Sequence, residues 1–112
     1  MKVMSLTVNH DAVVKMHSFV DPRVALLALV YELPERLKRF MVQYDQPITV
    51  FCELSGAFDH PITPNLNMAG YDLKVLSIFD SREQRQLTPD EFDYCLALLN
   101  TQVKGIELEK VA

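Results

Sequence analysis

Along "KVMSLTV", Met4, Leu6 and Val8 fall on one side and Ser5 and Thr7 on the other. A period of two belongs to a strand with one buried face. "NHD" supplies a turn, and "AVVKMHSF" predicts a returning strand with Val14 and Met16 inward. A helix through Asp11 to Phe19 competes, because Ala12, Val13, Met16 and Phe19 also fall at helical spacing. The valines favour the hairpin, since β-branched side chains fit a pleated surface.

The pattern then changes period. In "DPRVALLALVYEL", Asp21 suits an N-cap and Pro22 the first helical position, where its missing N–H has no intrahelical partner to lose. From Val24 to Tyr31 this helix is apolar nearly all round, so it needs cover on more than one side. Such cover comes from a central position or from a second subunit, and a homodimer is expected. Pro34 disfavours helical geometry at Leu33 and breaks the run there. A second helix follows, with Leu37, Phe40, Met41 and Tyr44 on one face and Glu35 placed four before Arg39 for an ion pair.

Alternation returns in "ITVFCEL", where Ile48, Val50, Cys52 and Leu54 share one face and Thr49, Phe51 and Glu53 the other. "YDLKVLSIF" reads as a further strand with Leu73, Val75 and Phe79 on one face. Leu76 and Ile78 make its far end apolar on both sides, as in a central strand. In "LTPDEF", Thr88 caps a helix, Pro89 opens it and Glu91 completes a capping box, with Leu87 and Phe92 as the hydrophobic staple. Phe92, Cys95, Leu96, Leu99 and Val103 line its apolar face, and Gly105 is placed to stop it. "IELEKV" closes as a short, charged strand suited to a sheet edge.

Strands and helices without regular βαβ alternation predict an α+β fold. One domain over residues 1–112 is expected, with a four- to five-stranded antiparallel or mixed sheet and about three helices on one face. The 112 residues, 49% hydrophobic and 23% charged, suffice for one core and are wrong for disorder. Two cysteines, Cys52 and Cys95, are too few for a disulfide framework and point to a reducing, cytoplasmic setting. The longest nearly apolar run, Val24 to Leu33, is half of what a bilayer span needs, so no membrane partner is expected.

The net charge of −4 divides unevenly: residues 1–40 carry six bases and four acids, and residues 41–112 five bases and eleven acids. Only Arg36, Lys38 and Arg39 cluster as bases, and they read as the solvated side of a helix. A concentrated basic face is missing, so nucleic acid is disfavoured as a partner.

Candidate chemistry is sparse. His10 and His17 are seven apart, matching no zinc spacing, and Cys52 and Cys95 sit on apolar faces where a thiolate has no support. No metal or cofactor site is expected. "SGAFDHPITPN" carries an Asp59-His60 pair, but adjacent side chains diverge along the backbone and rarely orient one another. The surrounding segment is long for a loop in a compact domain, and loops of that length are usually functional. It interleaves Phe58, Ile62, Leu66 and Met68 with prolines, which suits either a lid folded back on the core, with "ITPNLNM" as a short strand, or a binding surface that loses little entropy on docking.

The leading expectation is therefore a non-enzymatic subunit, adaptor or inhibitor. It would bind a protein partner through Phe58, Asp59, His60, Ile62, Leu66 and Met68. The alternative is a small α+β enzyme with a site near residues 55–70, where His60, Asp59 and Glu53 converge. A nucleic-acid module using Arg36, Lys38 and Arg39 comes third.

Overall fold

A computed structural model of the chain describes residues 3–18, 22–56 and 71–111. Two antiparallel strands, β1 (Val3–Val8) and β2 (Val14–Ser18), form the expected hairpin. The turn is made by Asn9, whose side-chain oxygen accepts the N–H groups of Asp11 and Val13 at 3.0 Å each. Ala12 completes the reversal at φ 59°. Val14 and Met16 pack toward the core, as the valine-rich pattern requires.

Helices α1 (Pro22–Val30) and α2 (Leu33–Tyr44) follow, separated at Tyr31–Glu32, where Glu32 takes φ 54°. Pro34 thus sits in the first turn of α2, but the break falls at Tyr31–Glu32, ahead of the expected Leu33, which is itself the first residue of α2. A proline in the first turn has no intrahelical N–H bond to lose. Asp21, the expected cap of α1, lies outside the described residues. Then come β3 (Ile48–Gly56), β4 (Tyr71–Asp80), the two-residue strand β5 (Arg85–Gln86), α3 (Pro89–Thr101) and β6 (Glu109–Lys110). The sheet runs β2-β1-β3-β4-β5, with antiparallel neighbours. β6 pairs in parallel with the same outer edge of β4, which makes the sheet mixed.

The fold is α+β, with one more strand than the pattern promised: "RQ" at 85–86 is too short to carry any periodicity. Its position comes from a turn instead. Asp80, buried at 7% exposure, accepts the N–H groups of Arg82 and Glu83 at 2.9 and 3.1 Å and folds the chain back on itself.

Side chains from one face of β1, β3 and β4 meet those of the helices in a single cluster. Met4, Leu6, Val8, Val50, Cys52, Leu54, Leu73, Val75 and Ile78 are each at most 2% exposed. α1 spans β1 to β4, α2 covers β1 and β2, and α3 packs on α2. α1 spends its apolar surface unequally: Leu27 and Ala28 are buried within the subunit, whereas Leu29 and Val30 are exposed.

Arg36 departs from the solvated-face expectation. At 1% exposure it is the largest fully buried side chain among the described residues. Nε donates to Tyr31 O at 2.8 Å, one terminal nitrogen to Leu99 O and Asn100 Oδ1 at 3.3 and 3.2 Å, and the other to Ile106 O. The physical reason is carbonyl supply. The end of α3 and the bend after it present unpaired C=O groups, and a guanidinium matches several at once. Burial lowers the Arg36 pKa from its ordinary value, partly offset by Glu32 and Glu107. Arg39 does meet Glu35 at 3.0 Å, as the i,i+4 spacing predicts, and also donates to Gln102 O at 2.7 Å.

α3 begins as read. Thr88 Oγ1 accepts Glu91 N–H, and the Glu91 carboxylate accepts Thr88 N–H at 3.0 Å. It ends sooner than expected, at Thr101, with Gln102 as cap. Gly105, at φ 122°, lies in the following loop rather than at the helix stop. Asn100 explains the early exit: its side chain bonds both the N–H and the C=O of Leu108 and draws the chain back toward β4.

Candidate nucleic-acid interface

The second face of the sheet carries the groups that the core does not use. In β1, β3 and β4 the alternation that buries Leu6 and Val50 turns Ser5, Thr7, Thr49, Phe51 and Glu53 the other way, where they remain half-buried. Register then assembles them into rows. One row runs Lys15, Thr7, Thr49, Phe79, Gln86 across all five strands of the main path. The next runs His17, Ser5, Phe51, Ser77, and a third holds Val3, Glu53, Lys74 and Glu109.

Phe79 stands here because of a bulge, against the strict alternation that groups it with Leu73 and Val75. Cys52 pairs with Val75 and Phe51 with Ser77, so Leu76 has no partner in β3. The extra residue shifts the phase of β4. Val75 and Ile78, three apart, both point into the core, and Phe79 moves to the outer face beside Phe51. As diagonal neighbours on adjacent antiparallel strands, the two rings lie about 7–8 Å apart at their backbones, within reach of each other.

Hydroxyls and charge are graded across this face. Thr7 Oγ1 and Thr49 Oγ1 share a hydrogen bond at 2.9 Å, and Thr49 Oγ1 reaches Ser81 Oγ at 3.4 Å. Exposed Lys15 and His17 lie on β2 at the far edge of the same rows, with β1 between them and Phe51 and both β1 and β3 between them and Phe79. Acids gather at the opposite end, in Glu53, Asp72 and Glu109. Lys74 there is tied to Glu109, whose hydrogen bond raises the lysine's pKa and lowers the glutamate's. A polyanion is therefore favoured over the first two rows and repelled from the third.

Stacking surface, hydroxyls and an exposed lysine on a sheet are binding groups for unpaired nucleotides. Every base has a π-face, and aromatic side chains on an open sheet can take it without reading sequence.

The other sequence candidates fall as follows. Phe58, Asp59, His60, Ile62, Leu66 and Met68 lie outside the described residues. Glu53, offered as a partner to Asp59 and His60, is half-buried in the third row opposite Lys74. His10 is an exposed turn residue. Cys52 and Cys95 are sealed in the core, and burial pushes both thiols up to about 12, which suppresses the nucleophilic thiolate. Of the basic trio, Arg36 is buried and Arg39 is engaged by Glu35 and Gln102 O, so no common basic face forms. Sequence reasoning had Phe51 on the outer face but missed Phe79, because a bulge leaves no periodic trace.

No family model matches the chain, and no curated protein matches it. Solved structures do. The fold is similar to that of Naegleria gruberi RNA ligase with PPi, at TM-score 0.73 and 16% identity over 99% of this chain and 32% of that one. A mutant of the same ligase with ATP and Mn gives TM-score 0.71 at 16% identity, over 98% of this chain and 32% of that one. This chain thus spans about a third of the length of the enzyme it resembles. At that identity the likeness is one of fold. It nevertheless corrects the expectation of a non-enzymatic adaptor, subunit or inhibitor. The structures that share this fold over nearly the whole of this chain are of an RNA ligase.

Proposed function

We propose that this chain acts in RNA end-joining or a related RNA-processing reaction, as the part that holds a single-stranded RNA. The strand lies across the outer face of the sheet, its bases stacked on Phe51 and Phe79 and its phosphates near Lys15 and His17. The observation that carries this reading is the bulge-placed aromatic pair, half-buried on the outer face of the sheet, in a fold similar to about a third of an RNA ligase. Net charge argues the other way, but stacking supplies affinity that does not scale with net charge. A reducing, cytoplasmic setting suits the two buried thiols.

The test is fluorescence anisotropy with a labelled single-stranded RNA. Phe51→Ala and Phe79→Ala should each weaken binding by about 1–3 kcal/mol, the worth of one base–aromatic stack. Lys15→Ala should weaken it less and reduce the salt slope by about 0.7. Absence of RNA binding by the wild type, or binding indifferent to both phenylalanines, overturns the proposal.

A further inference from the structure

Among the described residues, the outer edge of β4 is covered in two places and open between them. β6 pairs with Lys74 and Val75, β5 pairs with Phe79 and Asp80, and each is two residues long. The bridging bonds stop at Val111 N–H to Val75 O on one side and Leu87 N–H to Ile78 O on the other. Into that interval falls the bulge residue Leu76, a large side chain left 40% exposed.

A cleft of 270 Å³ occupies the gap. Leu76, Leu87 and Phe92 give it apolar walls, Ser77 and Gln86 stand at its rim, and Lys110 comes from the β6 side. Ser77 and Gln86 also belong to the two rows that carry Phe51 and Phe79. The cleft and the stacking face are therefore continuous, joined by two polar side chains.

We infer that this cleft is a nucleobase site, taking one unstacked base of the strand held on the outer face. A base has an apolar ring face and a hydrogen-bonding edge. Enzymes that extract a base enclose it between apolar or aromatic side chains and bond its polar edge. Leu76 and Phe92 supply the first. The Gln86 amide, with both a donor and an acceptor, and the Ser77 hydroxyl supply the second. Lys110 is shared with Asp93 at 3.3 Å in an exposed pair, weak enough for a phosphate to compete. The inference rests on the RNA-holding proposal and adds a position-specific site to it.

An abasic scan of the shortest single-stranded RNA that binds with full affinity tests it. Each nucleotide in turn loses its base, and binding is measured against wild type, Gln86→Ala, Leu76→Asp and Phe51→Ala. One position should lose about tenfold in affinity on wild type. That loss should nearly disappear on Gln86→Ala and Leu76→Asp, because the contact is already gone. Losses at the stacked positions should persist on those variants and shrink on Phe51→Ala. Two cleft variants are used because Gln86 is exposed and its truncation leaves the core intact, whichever way Leu76→Asp folds.

A profile unchanged by both cleft variants but altered by Phe51→Ala overturns the base site and leaves the RNA-holding face standing. No binding by wild type removes both. Competition by free nucleoside 5′-monophosphates identifies the source of the base. A monophosphate that binds wild type but not Gln86→Ala, together with a flat abasic profile, assigns the cleft to a soluble nucleotide and overturns the strand-held base.

Discussion

On the inner face of β3, Val50, Cys52 and Leu54 are at most 1% exposed, while Thr49, Phe51 and Glu53 on the same strand stay half-buried. The backbone is common to both sets; the environment is not. Inner side chains are held by close packing, where one missing methylene is felt. Among the described residues, outer side chains gain from their cross-strand neighbours, a few tenths of a kcal/mol up to about 1 kcal/mol each. A face of the second kind can be shaped for a ligand without endangering the fold. The two phenylalanines at 51 and 79 are therefore placed where, under the proposed function, their loss should cost binding more than stability.

The largest expected effects break this comparison most directly. Leu6→Ala should cost about 2–5 kcal/mol in denaturant unfolding, since Leu6 is fully buried and a cavity would remain. Phe51→Ala, one strand away on the other face, should cost about 1 kcal/mol or less. Equal losses would mean that the outer face is itself a packed interior.

The helical cover of the inner face gives the next test. Arg36→Leu keeps the apolar stem but leaves the carbonyls of Tyr31, Leu99 and Ile106 without their donor. A loss of about 3 kcal/mol is expected, of the size of one or two buried groups left unpaired. Hydrogen exchange should rise first in residues 99–108, the segment that Arg36 pins. Uniform exchange across the chain would make Arg36 part of a single cooperative core instead.

The smallest effects lie at the corner where β5 meets α3. Thr88→Ala removes a cap worth about 1 kcal/mol, or about 4 °C in Tm. Arg85 grips Glu91 through two bonds of 2.8 Å, and with Thr88 it holds the Glu91 carboxyl down at about 2. The unfolded chain, with Glu91 near 4.5, takes up the proton first as pH falls. Stability from this pair is therefore complete above about pH 4.5 and lost progressively toward pH 2. Glu91→Gln preserves the capping pattern and removes the charge. Thermal melts from pH 6 to pH 2 should show wild type ahead of Glu91→Gln at the upper end and the two converging at the lower. A constant gap would assign the contribution to capping alone.

Periodicity, breakers and caps by themselves determined most of the fold. Alternation in "KVMSLTV" and "ITVFCEL" set the buried faces of β1 and β3, Pro34 marked the start of α2 to within one residue, and Thr88 with Glu91 set the start of α3. These are local signals, written within one turn or one strand, and the chain obeys them because each element buries its own apolar stripe. Strand order, the bulge at Leu76, the inward turn of Arg36 and the two short strands on one edge of β4 were decided by tertiary contact. Each depends on a partner far along the chain. Arg36 needs carbonyls more than sixty residues away, and Phe79 reaches the outer face only because β3 and β4 pair out of step at Phe51 and Cys52. Side-chain pattern records which residues avoid water; which carbonyls are left over, and where two strands fall out of phase, exist only once the elements have met.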